Sequence, residues 1–139
     1  MRRWRQSVSI ELVDYMPFAK MMGIEVLEHS KDRVVGRLEV RTEVCTTGHI
    51  LHGGAVMAFA DTLGAIGAFE TLPEGAKATT TVESKTNFLG AAKEGSVVWG
   101  ESVPIKVGRT LGVWQTTMRL DDQNGKLVAM VTQSQLVLY

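Results

Sequence analysis

The chain has one cysteine, Cys45, in 139 residues. A lone thiol cannot close an internal disulfide, so the fold must be held by its core, and a reducing compartment suits it. Net charge is missing too: 15 Lys and Arg balance 15 Asp and Glu. No overall field exists to gather nucleic acid or an anionic membrane, and an anionic ligand would need a local basic patch. Long apolar runs are also lacking. The most apolar stretch, 55–69, is shorter than the roughly 20 residues of a membrane span and carries Asp61. The N-terminus, Met1 to Arg5, is basic, but Glu11 and Asp14 interrupt the region where a secretory leader needs an unbroken apolar run. There is no internal repeat, linker or low-complexity stretch. With 45% apolar and 22% charged residues, disorder is also excluded. The expectation is a soluble cytoplasmic protein whose residues 1–139 form a single domain, with 1–22 as an N-terminal helical segment.

Within residues 7–22, Val8, Leu12, Tyr15, Met16 and Ala19 recur at spacings of three and four, which predicts a short amphipathic helix broken at Pro17 and ended by Gly23. Extended segments follow at 24–28 and 33–41. In the second, Val34, Gly36, Leu38 and Val40 alternate with Val35, Arg37, Glu39 and Arg41. A polar loop with Gly48 leads through Gly53-Gly54 to the apolar segment from Ala55. That segment is too long for one strand, is rich in Ala, Met, Leu and Phe, and is apolar almost all round, so it reads as an enclosed helix. Pro73 and Gly75 close it. Four β segments follow, about 78–89, 95–107, 110–121 and 126–138. They are separated by turn signals at Gly90, Lys93-Glu94-Gly95, Val107-Gly108 and Asp122-Gln123-Asn124-Gly125. One long helix among antiparallel strands is hidden only if the sheet curls round it. The expected class is α+β, a hotdog fold with a curved antiparallel sheet wrapped around one long central helix.

The chemistry-bearing stretch is His52-Gly53-Gly54-Ala55-Val56-Met57-Ala58-Phe59-Ala60-Asp61. Asp61 is the one formally charged side chain between Glu43 and Glu70, set in an apolar helix and expected to be buried. Burial of a carboxylate is costly unless it is paired or its proton affinity rises. The residues leave open a satisfied core Asp, bonded to Thr62 for example, or a general base or nucleophile. Gly53 and Gly54, at the positive end of the helix, offer backbone N–H groups that no side chain covers, the makings of an oxyanion hole; a tight turn into the helix is the other reading. Gly53 and Asp61 are eight residues apart, about 12 Å along one helix, too far to serve one reacting centre. Two helices packed antiparallel across a two-fold axis bring Asp61 of one chain to Gly53 of the other. An obligate homodimer with composite sites is expected.

His52-Gly53-Gly54 with Asp61 seven residues beyond resembles the PaaI-type (phenylacetate-pathway) hotdog-fold acyl-CoA thioesterases. The resemblance runs from about residue 15 to the end and takes in Lys93-Glu94-Gly95 and Val107-Gly108-Arg109-Thr110. Gly108-Arg109 and Val113-Trp114-Gln115 are also similar to aryl-CoA thioesterases with Glu at the Asp61 position. The resemblance implies hydrolysis of an aryl- or medium-chain acyl-CoA. Gly53 N–H would polarise the thioester carbonyl, and Asp61 would attack it or activate water. His52 would orient the helix start, and Thr81 would place the water or substrate. Thr46 stands where the family often has Asn, and Ala65 where some relatives have a hydroxyl. Thr46, Gly54 and Thr62 would line the substrate pocket with Met16 and Phe18. For these last two, and for Met21 and Met22, core packing is an equal alternative.

The resemblance also implies a coenzyme A path. Phe88, Leu89 and Gly90 would line the pantetheine channel, and the turn Lys106, Val107, Gly108, Arg109 and Thr110 would hold the phosphates. By themselves Lys106 and Arg109 read more readily as solvated charges at a hairpin than as phosphate ligands. No separate cofactor is expected, coenzyme A being part of the substrate. No metal site is expected either, since Cys45, His49 and His52 match no common zinc spacing. A Cys45–His52 nucleophilic pair is the weaker enzymatic idea. The expected partner is the acyl-CoA, with no nucleic acid and no membrane. The assembly is expected to be a dimer at least, with a dimer of dimers implied by relatives. The alternatives are an acyl-thioester dehydratase or hydratase of the same fold, and a non-catalytic acyl-CoA-binding protein.

Overall fold

A computed structural model describes residues 12–139. The expected N-terminal helix lies partly outside them, Val8 included. Within them, Pro17 begins helix α1, Pro17–Met22, at the position where its missing N–H costs nothing. Gly23 ends it in the left-handed region, φ 82°. A Cβ at Gly23 would stand 2.6 Å from the Arg41 guanidinium, whose two Nη atoms donate to the Met21 and Met22 carbonyls.

Strands β1, Ile24–His29, and β2, Val34–Glu39, come next. The loop expected from 42 to 52 holds more order than its composition announces. A 3-10 turn, Thr42–Val44, leads into a two-stranded ribbon, β3 (Cys45–Thr46) against β4 (Ile50–Leu51). Helix α2 spans Gly53–Glu70, and strands β5 (Ala78–Phe88), β6 (Val97–Lys106), β7 (Leu111–Leu120) and β8 (Leu127–Leu138) complete the fold. The six long strands form one antiparallel sheet ordered β1-β2-β6-β7-β8-β5. All six touch α2, so the sheet curls around the helix as expected of a hotdog fold.

Glycines set how closely helix and sheet approach. Gly36 and Gly100 are register partners on β2 and β6. A Cβ on Gly36 would lie 2.8 Å from Leu63 and 3.2 Å from Phe59; on Gly100 it would lie 2.9 and 3.0 Å from the same side chains. Phe59 and Leu63, both fully buried, therefore press onto bare backbone. The helix reciprocates. Gly64 lies under the Gln133 amide and Gly67 under the Trp114 ring, each with 2.4 Å between a would-be Cβ and the neighbour. His29 Nδ1 and Glu70 pair at the far end and tie β1 to α2.

At Gly67, overpacking against the fully buried Trp114 costs about 1–3 kcal/mol, more than the roughly 1 kcal/mol of helix propensity that alanine returns. Gly67→Ala should lower the denaturant midpoint; an unchanged or higher midpoint would mean that Trp114 yields freely.

Candidate active site

The sheet covers one side of α2 and leaves a stripe open. Gly54, Met57, Ala58, Asp61 and Ala65, spaced at three and four, are exposed or half-buried, whereas Val56, Phe59, Ala60, Leu63 and Ile66 are buried. Asp61, expected to be buried, is exposed in the single chain. The apolar character of its neighbours reflects a helix face that the chain's own sheet does not reach.

Exposure does not leave this carboxylate unheld. Its Oδ1 accepts from Thr81 Oγ1 at 2.7 Å and from Gln133 Nε2 at 3.2 Å. Gln135 Nε2 donates to Thr81 Oγ1 at 2.6 Å, and Thr79 Oγ1 donates to Gln135 Oε1 at 3.1 Å. Oδ2 has no partner among the described residues. One carboxylate oxygen is thus an anchor and the other is free to react. Thr81 reaches Asp61 from β5. Thr62 does not: it is buried, and its hydroxyl donates to the Ala58 carbonyl at 2.8 Å within its own helix, so it is no pocket group.

His52 caps α2. Its Nδ1 accepts from Gly54 N at 2.7 Å, so the ring's proton sits on Nε2. Of the two amides expected to be bare, Gly54's is therefore occupied, while that of Gly53 has no acceptor among the described residues. A Cβ at Gly53 would stand 3.2 Å from the Phe88 ring, which lies across the helix start. Cys45 and His52 form no nucleophilic pair. Burial pushes the Cys45 thiol up, with Glu94 and Glu43 adding to it, and its Sγ donates to the Arg41 carbonyl. His49 faces Glu94 at 3.4 Å, and no cluster of three metal-ligating side chains occurs among the described residues.

Two grooves flank the open stripe. One, of about 640 Å³, lies between α1 and the start of α2 and is lined by Phe18, Met21, Met22, Val44, His52 and Ala58 among others. The other, about 520 Å³, lies along the second half of α2 and includes Met16, Ala65, Ile66 and Phe69. Met16 and Phe18, expected in one pocket, are parted because α1 begins between them at Pro17. Thr46 is exposed on the β3–β4 ribbon and lines neither groove.

The candidate coenzyme residues fall at opposite ends of α2. Phe88, with Leu89 and Gly90 after it, sits at the Gly53 end. Val107 and Gly108 sit beside Ala68 and Thr71 at the other end. Lys106, Arg109 and Thr110 on that turn are exposed, and neither cation is ion-paired among the described residues. The Arg109 carbonyl accepts from the Tyr139 hydroxyl at 2.5 Å. No helix among the described residues is long and apolar enough to cross a membrane.

Residues 48–126 match the model of the Thioesterase superfamily. The chain is similar to 1,4-dihydroxy-2-naphthoyl-CoA thioesterase 2 of Arabidopsis thaliana, 28% identical over 124 residues that take in 86% of this chain and 76% of that protein. Its fold resembles the crystal structure of a thioesterase from Haemophilus influenzae, with TM-score 0.78, 26% identity, and 86% of this chain and 81% of that one covered. A variant of phenylacetic acid degradation protein PaaI from Thermus thermophilus shares the fold at TM-score 0.78 and 23% identity, over 88% of this chain and 99% of that one. The family model spans more than half of the sequence and the helix motif falls inside it, so the chain belongs to the thioesterase superfamily, with the PaaI-type hotdog architecture.

Proposed function

We propose that this protein hydrolyses the thioester of an aryl- or medium-chain acyl-coenzyme A, giving the free acid and the coenzyme A thiol. The observation that carries this reading is the division of labour at Asp61: Oδ1 held by Thr81 and Gln133, Oδ2 free. A carboxylate fixed through one oxygen presents the other in one direction, as a base that takes a proton from water or as a nucleophile at the thioester carbon. The Gly53 N–H at the positive end of α2 would receive the charge that develops on the carbonyl oxygen. The groove of about 640 Å³ beside His52 and Gly54 has the apolar lining an acyl group needs. The naphthoyl-CoA activity in the Arabidopsis relative's name supports an aryl substrate class.

Completing the centre takes a second copy. About 12 Å separates Gly53 from Asp61 along the helix, so an antiparallel partner must register Gly53 of one chain against Asp61 of the other. That axis passes near Met57, midway between them and 37% exposed. It also falls midway along β5, an 11-residue edge strand bearing exposed Val82 and Phe88. The same pairing carries the 106–110 turn of one chain toward the Phe88–Gly90 segment of its partner. One coenzyme could then use both, the turn's two cations meeting the phosphates.

Incubation with a panel of aryl and alkyl acyl-CoAs in the presence of a thiol reagent should release thiol, which a hydratase would not do. Asp61→Asn should lower kcat by about 10²–10⁴-fold while retaining substrate binding. No thiol from any ester, or an undiminished variant, would refute the reading. Lys106→Ala with Arg109→Ala should raise KM about tenfold for the coenzyme A ester but not for the same acyl group on pantetheine, which lacks the nucleotide phosphates. Equal effects on both would remove the turn from phosphate binding. Sedimentation should find a dimer, and Met57→Arg, which sets like charges across the axis, should yield inactive monomer. A fully active monomer would overturn the composite site.

A further inference from the structure

We propose that Gln133 and Gln135, on the last strand, are positioning residues for thioester hydrolysis, holding the Asp61 carboxylate so that Oδ2 alone faces the substrate. The inference rests on the role given to Asp61 above. Along β8, Ala129, Val131, Gln133 and Gln135 share one phase of the strand, and all four are buried against α2, with exposures of 0, 0, 0 and 1%. The first two are what a core strand calls for. Two primary amides in the same row are not.

The direction of each hydrogen bond follows from the carboxylate. Asp61 as an anion can only accept, so the hydroxyl of Thr81 gives its proton to Oδ1. Thr81 Oγ1 must then take its own donor from Gln135, which turns that amide's NH₂ toward it and its Oε1 toward the Thr79 hydroxyl. Gln133 has to present NH₂ to Oδ1 as well. Its Oε1 is consequently left buried with no partner among the described residues. For packing alone, Met fills a similar volume without an orphaned acceptor; what it lacks is the donor. The helix also makes room for this amide, since any Cβ at Gly64 would fall 2.4 Å from Gln133 Cδ and Oε1. Neutral donors suit the task better than cations would. Lys or Arg in the same place would pair with Asp61 and reduce its basicity, whereas an amide fixes its direction and leaves its charge available.

Gln133→Met and Gln135→Met in the full-length, assembled protein supply the test, with kcat, KM and thermal midpoint measured on each. For Gln133→Met the expected result is a fall in kcat of about 10–100-fold with KM within about threefold, because a misdirected carboxylate costs rate and not binding. Its midpoint should be unchanged or raised, since the orphaned acceptor is gone. For Gln135→Met, one bond further away, a smaller fall is expected, and it should vanish when Thr81→Val is already present because the two act through one chain. Should Gln133→Met fail to fold, the Gln135 and Thr81 cycle decides alone. Wild-type kcat in both variants overturns the inference and leaves the hydrolase reading intact. A loss of rate that tracks a lower midpoint makes the glutamines structural only and overturns it equally. A wild type that frees no thiol defeats the functional reading first, and the inference with it.

Discussion

The close seating of α2 on the sheet behind it, at Gly36 and Gly100 on one side and Gly64 and Gly67 on the other, controls which groups can meet across that junction. A methyl group at any of the four would stand within 3 Å of a buried neighbour and push the layers apart. At that separation Phe59 and Leu63 fill the space over β2 and β6, while Gln133, lying flat against Gly64, extends far enough past the helix to reach Asp61. Loosening the packing by even a fraction of an ångström would break a 3.2 Å bond before it opened a cavity. The site's geometry is in this sense a product of the core.

The same core explains why the site opens outward. A curled sheet of six strands can reach around only part of an 18-residue helix, and the uncovered remainder is neither polar nor randomly composed. Gly54, Ala58 and Ala65 are small, Met57 is pliable, and Asp61 is the one charge in the row. Small residues on an exposed stripe permit another backbone to come near, which is what a composite site across a two-fold axis demands. It is also the condition under which an exposed carboxylate becomes a sheltered one.

Much of this was legible in the sequence. Turn signals separated the strands to within two residues of their observed ends, and the length and composition of 55–69, with Gly53-Gly54 before it, identified the helix that His52 caps. The burial of Asp61 was misjudged for a definite reason: an apolar pattern says that a face avoids water without saying whose atoms will cover it. Gln133 and Gln135 escaped notice although the sign was there, two amides on the inward phase of an apolar strand. Their partner was not readable, since Gln133 and Asp61 are 72 positions apart in the chain and only the sheet order brings them together. Thr62 misled in the opposite way. Adjacency to Asp61 in the chain puts it about 100° round the helix, where its hydroxyl turns back to its own backbone.

What remains after these bonds are assigned is a short account of unspent polar groups on the open face. His52 takes the amide of Gly54, Thr81 and Gln133 take one oxygen of Asp61, and Gln135 and Thr79 complete the chain behind them. Among the described residues the Gly53 N–H is left as a backbone donor and Asp61 Oδ2 as a carboxylate acceptor, with the His52 Nε2–H and the buried Gln133 Oε1 also unspent. A thioester under attack needs one of each: a donor for the oxygen that gains charge, and an acceptor for water's proton or for bonding to the carbon. The two lie too far apart in one chain to act on the same carbonyl. On the proposed reading each chain would carry half of two centres, and the satisfied groups around Gly53 N–H and Asp61 Oδ2 would keep these two free and aimed.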